Sequence, residues 1–250
     1  ILLTVLITAV MSFGSIRSTN KLQLDNIQVT TRIASQSISS NLHLLTERIY
    51  NISTDAELTD DSLSKKDKAA YLQDFEQEIE FVWLSVYDAD GKKLYGDKTA
   101  PDSIADTKYY SQLAETANTV IGEPHYDQDV LQLCVGAPLK ANDEICGYVI
   151  GSYKYDLLND VLSMLILGDT GSACIINEKG TIIADQDEKN IADQVSIYDK
   201  NSSSKNKEIY DRILSYQTGS VTMKLHGVSH YVGYTPIPGT NWVLLVDAPK

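Results

Sequence analysis

Residues 81–96 read FVWLSVYDADGKKLYG, and residues 172–185 read SACIINEKGTIIAD. Both stretches open with an apolar run and reach an Asp or Asn three positions before a glycine, Gly91 in the first and Gly180 in the second. Asp and Asn favour turns because their side chains bond the backbone two residues on, and Gly accepts the positive φ of a tight turn. Each stretch therefore predicts a strand, a turn and a second strand.

The elements that follow the two hairpins come in the same order. After each hairpin the sequence has a short helical pattern and then two strand patterns: residues 109–117, 130–138 and 145–155 in the first block, and 209–217, 220–236 and 242–247 in the second. Short connections between strands predict antiparallel pairing. We therefore predict an internal duplication into two small α+β modules, each an antiparallel sheet with helices on its faces, linked by a helical segment at 157–167.

The first 16 residues, Ile1–Ile16, read ILLTVLITAVMSFGSI and carry no charge. An apolar run of this kind predicts the end of a transmembrane helix, which would place the following residues outside the cytoplasm. The alternatives are a secretory signal peptide and a buried helix.

A second helical pattern covers residues 17–53, and no Gly or Pro interrupts residues 15–53. Apolar or small residues recur every three or four positions: Leu24, Ile27, Thr31, Ala34, Ile38, Leu42, Leu45, Ile49 and Ile52. Such a stripe predicts one face of a long helix. It is compatible with a helix packed along its own modules and with a stalk that pairs with a second copy to form a homodimer.

The chain has a net charge of −13, which argues against a partner that is duplex nucleic acid, because such binding needs a basic surface. The acidity is local: residues 54–170 carry a net charge of −14 and 9 of the 15 tyrosines. Three cysteines are too few for a disulfide scaffold, and no disulfide is expected between Cys134 and Cys146.

Three stretches carry a resemblance to a known family: residues 168–185, in which Gly168 and Gly171 precede SACIINEKGTIIAD; VGAP at 135–138 followed by GYVIG at 147–151; and NWVLLVDAP at 241–249. Together with the flanking helices, they resemble double Cache sensor domains of bacterial transmembrane receptors. The resemblance implies a long N-terminal helix with two PAS-like modules and an extracytoplasmic pocket, usually in the membrane-distal module. The expected domains are a transmembrane helix end at 1–16, a stalk helix at 17–53, a distal ligand-binding module at 54–156 and a proximal module at 157–250.

The segment Asp106-Thr-Lys-Tyr-Tyr110 matches the place where an Arg precedes two aromatic residues in amino-acid sensors of this family. The resemblance puts Tyr109 and Tyr110 at the aromatic positions, Thr107 at the Arg position with Lys108 beside it, and Tyr153 where an Asp binds a ligand ammonium. Thr cannot grip a carboxylate bidentately as Arg does. An amino-acid ligand is therefore disfavoured, and the resemblance leaves a nucleobase or a small carboxylate.

Five further residues complete the predicted ligand site. Trp83, Ser85 and Tyr87 share one face of a strand at a spacing of two. Tyr126 lies near another pocket position of the family, and Gln132 is expected to point away from its neighbours Leu131 and Leu133.

The sequence contains no motif that predicts a cofactor, a metal centre or an enzyme. His226 and His230 have the spacing of a zinc pair on a helix, but in a strand positions i and i+4 lie about 13 Å apart. We expect an extracytoplasmic small-molecule sensor domain of a membrane-anchored receptor, with chemotaxis as its output. The alternatives are the sensor domain of a histidine kinase or cyclic-dinucleotide enzyme, an amino-acid sensor, a membrane-anchored surface hydrolase and an adhesion module.

Overall fold

The fold begins with one long helix. The computed structural model describes residues 2–78, 81–127, 129–165, 171–198, 204–225 and 227–250. Helix α1 (Leu2–Ser53) runs without a break, as the predicted pattern requires. Every member of its stripe from Ile27 to Ile52 is buried, while Leu24 at the start is partly exposed. The stripe therefore packs against the chain itself, so it cannot also be the face that pairs with a second copy.

In the described ranges, no helix combines the length and the apolar content that crossing a bilayer requires.

Contacts divide the chain into two compact units. Residues 40–158 form one unit, and residues 1–39 together with residues 159–250 form the other. Helix α1 supplies residues to both.

The unit of residues 40–158 is built around an antiparallel sheet. Its strands lie in the order β2-β1-β6-β5-β3, with β4 also paired to β5. Its elements after α1 are α2 (Ala56–Thr59), α3 (Lys65–Glu78), β1 (Phe81–Asp88), β2 (Lys93–Gly96), α4 (Lys108–Thr116), β3 (Val120–Ile121), β4 (His125–Asp127), β5 (Val130–Ala141) and β6 (Glu144–Lys154). Helix α5 (Asp156–Ser163) follows.

The unit that ends at Lys250 repeats this arrangement, with the strand order β8-β7-β11-β10-β9. Its elements are β7 (Ser172–Ile176), β8 (Ile182–Asp185), α6 (Glu188–Ala192), α7 (Ser204–Ile213), β9 (Gly219–Leu225), β10 (Val228–Pro236) and β11 (Val243–Pro249). The α+β fold with a long N-terminal helix and two antiparallel sheets is as predicted.

The two predicted hairpins have the same geometry. In the first, Asp88 Oδ1 accepts the N–H groups of Asp90 and Lys92 at 3.0 and 2.8 Å. In the second, Asn177 Oδ1 accepts those of Lys179 and Thr181, both at 3.0 Å. The glycine that closes each turn has a φ of +79°. An Asp or Asn three positions before a glycine therefore forms the same type of turn in both units.

Two details differ from the prediction, and some predicted residues lie outside the described ranges. Residues 220–236 form two paired strands rather than one, because the chain turns at Gly227, whose φ is +84°. The short strands β3 and β4 were not predicted. Residues 166–167 of the predicted linking helix, Gly168 of the family motif and His226 lie outside the described residues.

Cys134, Cys146 and Cys174 form no disulfide bond among the described residues. The β5–β6 hairpin turns through Asn142 and Asp143, both at positive φ, which gives a two-residue turn. This register places Cys134 opposite Ser152 rather than near Cys146.

Candidate ligand site

The sheet of residues 40–158 buries an aromatic and polar cluster on one face. Directly opposed residues of an antiparallel pair share a face, and Trp83 is opposed to Ser152, which is opposed to Cys134. The cluster joins these strand residues to side chains from α4 and its preceding loop: Trp83, Tyr87, Ala100, Ile104, Tyr109, Leu113, Cys134, Tyr148 and Ile150.

Three of the predicted site residues come from strand β1. Trp83 is 2% exposed, and Ser85 and Tyr87 are fully buried. The β1–β6 register is regular from Trp83 onward, so the three side chains lie on one face, as the spacing of two predicts. The rings of Trp83 and Tyr87 meet edge to face, with 6.5 Å between centroids.

Helix α4 places its two tyrosines differently. Tyr109 is buried in the cluster, and Gly122 lies so close that an added Cβ would come within 3.1 Å of the tyrosine ring. Tyr110 is half-buried at the cluster's edge, where its hydroxyl donates to the Ala89 carbonyl at 2.8 Å. The structure therefore puts Tyr109, rather than the pair, at the centre.

Thr107 begins helix α4. Its hydroxyl oxygen accepts the Tyr110 N–H at 3.3 Å, and the same hydroxyl donates to the Ile104 carbonyl at 2.7 Å. These are the contacts of a helix N-cap. Lys108 lies at the surface, where its ammonium forms an ion pair with Glu123 at 2.5 Å.

Strand β4 brings in a residue that the sequence analysis missed. Tyr126 is 41% exposed, whereas its neighbour His125 points toward the cluster. The His125 ring stacks on Tyr109 at 6.2 Å, and its Nε2 lies 4.0 Å from Cys134 Sγ. Its Nδ1–H donates to the Glu123 carbonyl at 3.1 Å. Adjacent residues of a strand point to opposite faces, so an outward Tyr126 would have predicted an inward His125.

Strands β5 and β6 add polar groups to the same face. Gln132 points away from Leu131 and Leu133, as expected, and its Oε1 accepts the hydroxyl of Ser152. Cys134 is fully buried, and burial raises the pKa of its thiol to about 12. Ser152 and Cys134 were not among the predicted ligand residues, although Cys134 shares its face with Gln132 by the period of two.

Tyr153 lies on the opposite face of the sheet. Its ring packs against Phe81 at 4.7 Å between centroids, and a side chain at Gly151 on that face would overlap Phe81 and Ile49 of α1. Burial raises the pKa of Tyr153, and the nearby charge of Arg48 opposes that effect. The structure therefore separates Tyr153 from the other predicted residues and makes it part of the helix-packing face.

Two buried donors on this face of β1 have no partner: one belongs to the cluster, and the other lies beside it. Trp83 Nε1 and Ser85 Oγ are inaccessible to solvent, and neither forms a hydrogen bond with any described residue. A buried polar group without a partner costs about 1–3 kcal/mol, so native structures rarely keep one without a reason.

Two surface crevices have been located, and none of the ten predicted residues is among their described lining residues. The first, of about 350 Å³, is lined by Gln23, Asn26, Ile27, Thr30, Tyr231, Ala248 and Pro249. The second, of about 420 Å³, is lined by Tyr50, Ser53, Thr54, Ala117, Asn118, Thr119, Pro138 and Lys140. The buried cluster is the better site candidate, because two unpaired donors lie in it or beside it.

A family model described as the Cache domain matches residues 15–250 of this chain. The chain belongs to the Cache domain family. With its two modules it is a double Cache domain, as the sequence motifs indicated.

Solved structures share this fold at low identity. The ligand-binding domain of the amino acid chemoreceptor PctB of Pseudomonas aeruginosa PAO1, in complex with L-Arg, matches with a TM-score of 0.72 and 18% identity over 91% of this chain and 95% of that one. The ligand-binding domain of the Pseudomonas fluorescens chemoreceptor CtaA, in complex with L-isoleucine, matches with a TM-score of 0.72 and 20% identity over 94% of this chain and 95% of that one. The ligand-binding domain of the amino acid chemoreceptor PctC of Pseudomonas aeruginosa PAO1, in complex with GABA, matches with a TM-score of 0.70 and 17% identity over 89% of this chain and 98% of that one. The comparison with curated proteins gave no match.

Proposed function

We propose that this Cache domain is the extracytoplasmic small-molecule sensor of a membrane-anchored signalling receptor, with chemotaxis as its output. Residues 54–156 are its ligand-binding module, residues 157–250 its proximal module and Ile1–Ile16 its membrane anchor. The observation that carries this proposal is the pair of unpaired, buried donors, Trp83 Nε1 in an aromatic cluster and Ser85 Oγ beside it. The chemoreceptor domains that share the fold bind small molecules, which supports a small-molecule partner here.

The ligand of this site is a nucleobase or a small carboxylate rather than an amino acid. An α-amino acid needs a cation for its carboxylate and an anion for its ammonium. Thr107 uses its hydroxyl to cap α4, Lys108 is engaged by Glu123, and Tyr153 lies on the other face of the sheet. The positions at which the family's amino-acid sensors hold their ligand therefore do not offer those charges here.

A surface hydrolase needs a nucleophile next to a base. One trio resembles such a site: Ser172, which is exposed, with His230 and Asp247, which are buried. His230 Nδ1–H donates to Asp247 Oδ2 at 2.7 Å, and Ser172 donates to the other oxygen of the same carboxylate. Ser172 and His230 share no hydrogen bond in the described part of the chain, so the imidazole cannot take the serine proton. The three side chains therefore stabilise the fold through hydrogen bonds and do not form a hydrolytic site.

We propose that the receptor is a homodimer through α1, as the sequence suggested, and that the contact uses a face of α1 other than the buried stripe. Leu22, Val29 and Ile33 are 58%, 46% and 60% exposed. Their spacings of seven and four residues place them on one side of the helix, away from the stripe that this chain buries.

Thermal denaturation in the presence of candidate metabolites tests the sensor proposal. A ligand at 100 times its dissociation constant adds about 2.7 kcal/mol to the free energy of unfolding, which raises the melting temperature by about 5–10 °C. We expect the Trp83→Phe variant, at the same ligand concentration, to lose about half of this shift. Trp242→Phe changes a buried tryptophan of the other unit and should keep the shift. Loss of the shift in Trp242→Phe alone would place the ligand outside the proposed module.

A further inference from the structure

The chemistry of the unpaired donors says what kind of ligand the cluster can take. An indole N–H only donates, so Trp83 needs an acceptor atom as its partner. The Ser85 hydroxyl can donate as well, and it stands two positions further along the same face of β1. Since both groups are buried and neither has a partner among the described residues, a solute that offers acceptors to both would remove two desolvation penalties at once.

The cluster also offers no formal charge among its described members. Burial raises the pKa of the Tyr87, Tyr109 and Cys134 side chains, so all three stay protonated and neutral near pH 7. Burial is the main cause of the raised pKa of Tyr87. Cys134 and the carboxylates of Asp127 and Asp102 raise that pKa further. An anion placed here would feel those carboxylates as well as its own desolvation.

One cation reaches the edge of the cluster. Lys93 Nζ donates to the Ala100 carbonyl at 2.5 Å and forms an ion pair with Asp102 at 3.2 Å. Its charge is thus already opposed by a carboxylate. To hold a ligand carboxylate, Lys93 would have to give up both contacts, which makes it a poor substitute for a pre-organised Arg fork.

The aromatic side chains favour a flat solute. Trp83 and Tyr87 meet edge to face, and Tyr109 stacks with His125. Flat aromatic faces provide apolar contact to a ring and leave its edge free to accept hydrogen bonds.

We propose that this cluster selects an uncharged, flat, polar solute that accepts hydrogen bonds from Trp83 Nε1 and Ser85 Oγ, and that it rejects small carboxylates. This inference rests on the proposed sensor function and narrows its ligand class. It also assigns Trp83 and Ser85 as the residues that determine specificity.

Titration calorimetry on the full chain tests this proposal with five probes. Uracil and hypoxanthine are uncharged and flat, acetate and lactate are anions, and L-alanine is a zwitterion. We expect uracil or hypoxanthine to bind with an affinity that changes little between about 0.05 and 0.5 M NaCl, because no charge pair is made. Acetate, lactate and L-alanine should not bind.

Three variants assign the contacts. Trp83→Phe keeps an aromatic ring, though a smaller one, and removes the N–H donor. It should weaken binding about tenfold, as should Ser85→Ala. Lys93→Met should leave the affinity unchanged, and so should the control Trp242→Phe.

The outcomes separate this inference from the proposed function. If only acetate, lactate or L-alanine binds, and Lys93→Met abolishes that binding, the ligand class is wrong while the sensor module stands. If an uncharged probe binds but Trp83→Phe and Ser85→Ala both keep full affinity, the assignment of the donors is wrong. If none of the five probes binds at millimolar concentration, the inference and the proposed pocket both fail.

Discussion

The Ser85 hydroxyl destabilises the ligand-free protein, because it is buried without a hydrogen-bond partner among the described residues. Replacing it with Ala removes an unsatisfied polar group and leaves almost the same volume. We therefore predict that Ser85→Ala raises the free energy of unfolding of the ligand-free chain by about 1 kcal/mol. Urea unfolding measures this change.

Ser152→Ala is the matched control for this prediction. Ser152 is as buried as Ser85, but its hydroxyl donates to Gln132 Oε1. Its loss leaves that acceptor unpaired and should lower the free energy of unfolding by about 1–3 kcal/mol. Equal effects of the two substitutions would show that the Ser85 hydroxyl has a partner after all.

The thiols of Cys134 and Cys146 should differ sharply in reactivity. Thiolate is the reactive form, and burial raises the pKa of Cys134 to about 12, above its ordinary value of about 8.5. Cys134 therefore stays protonated as the pH rises from 6 to 9, while Cys146 is exposed and free. We predict that a disulfide reagent titrates Cys146 rapidly and Cys134 only after denaturation. Rapid reaction of Cys134 in the folded Cys146→Ser variant would contradict its burial.

At the scale of elements, α1 packs against each unit at a glycine. A Cβ at Gly233 would meet Thr31 Oγ1 and the Ile27 carbonyl oxygen of α1, whereas one at Gly151 would meet the side-chain ends of Ile49 and Phe81. Side-chain ends can move, but the helix backbone cannot without shifting the helix. We predict that Gly233→Ala costs about 1–3 kcal/mol and Gly151→Ala less, as measured by chemical denaturation. The reverse order would mean that α1 adjusts more easily at Ile27 than at Ile49.

The exposed face of α1 is the proposed dimer contact. If Val29 and Ile33 form the dimer contact, Ile33→Lys should raise the dimer dissociation constant at least tenfold, because it buries a charge in an apolar seam. Sedimentation measures this constant, and Leu44→Lys, on the part of α1 in the other unit, tests how far the contact extends. An unchanged dissociation constant in Ile33→Lys would exclude this face.

The elements that sequence patterns predicted well are those whose signal is local. The Asx-to-Gly turns and the alternation of Trp83, Ser85 and Tyr87 need only neighbouring residues, and both are present. The choice between Tyr126 and His125 depends on how a three-residue strand pairs with β5, which no local pattern contains. Tyr153 pairs with Phe81 of β1, next to an irregularity in the register between Phe81 and Trp83. This pairing decides which face of the sheet Tyr153 lies on, and alignment to the family motif does not contain it.

At the scale of the whole molecule, α1 is the element common to both units, since its residues up to Ser39 belong to one unit and those from Ser40 to the other. A ligand in the buried cluster would tighten the sheet whose other face packs on Ile49. A signal passes only if the ligand binds two states of the protein differently and α1 differs between those states. We predict that ligand slows amide hydrogen exchange first in β1, α4 and residues 45–52, and then in α1 residues 27–38.

Exchange mass spectrometry of the full chain, with and without the binding probe, measures this order. At a probe concentration near the dissociation constant of the unmodified chain, Trp83→Phe should reduce every change. Protection confined to β1 and α4, with residues 27–38 unaffected at saturating ligand, would mean that α1 does not carry the signal. A more specific comparison uses Gly233→Ala, which disturbs the contact of α1 with its sheet at Thr31 and Ile27. If α1 transmits the change, this variant should keep the protection of residues 45–52 and lose that of residues 27–38, because the coupling free energy depends on both contacts of the helix.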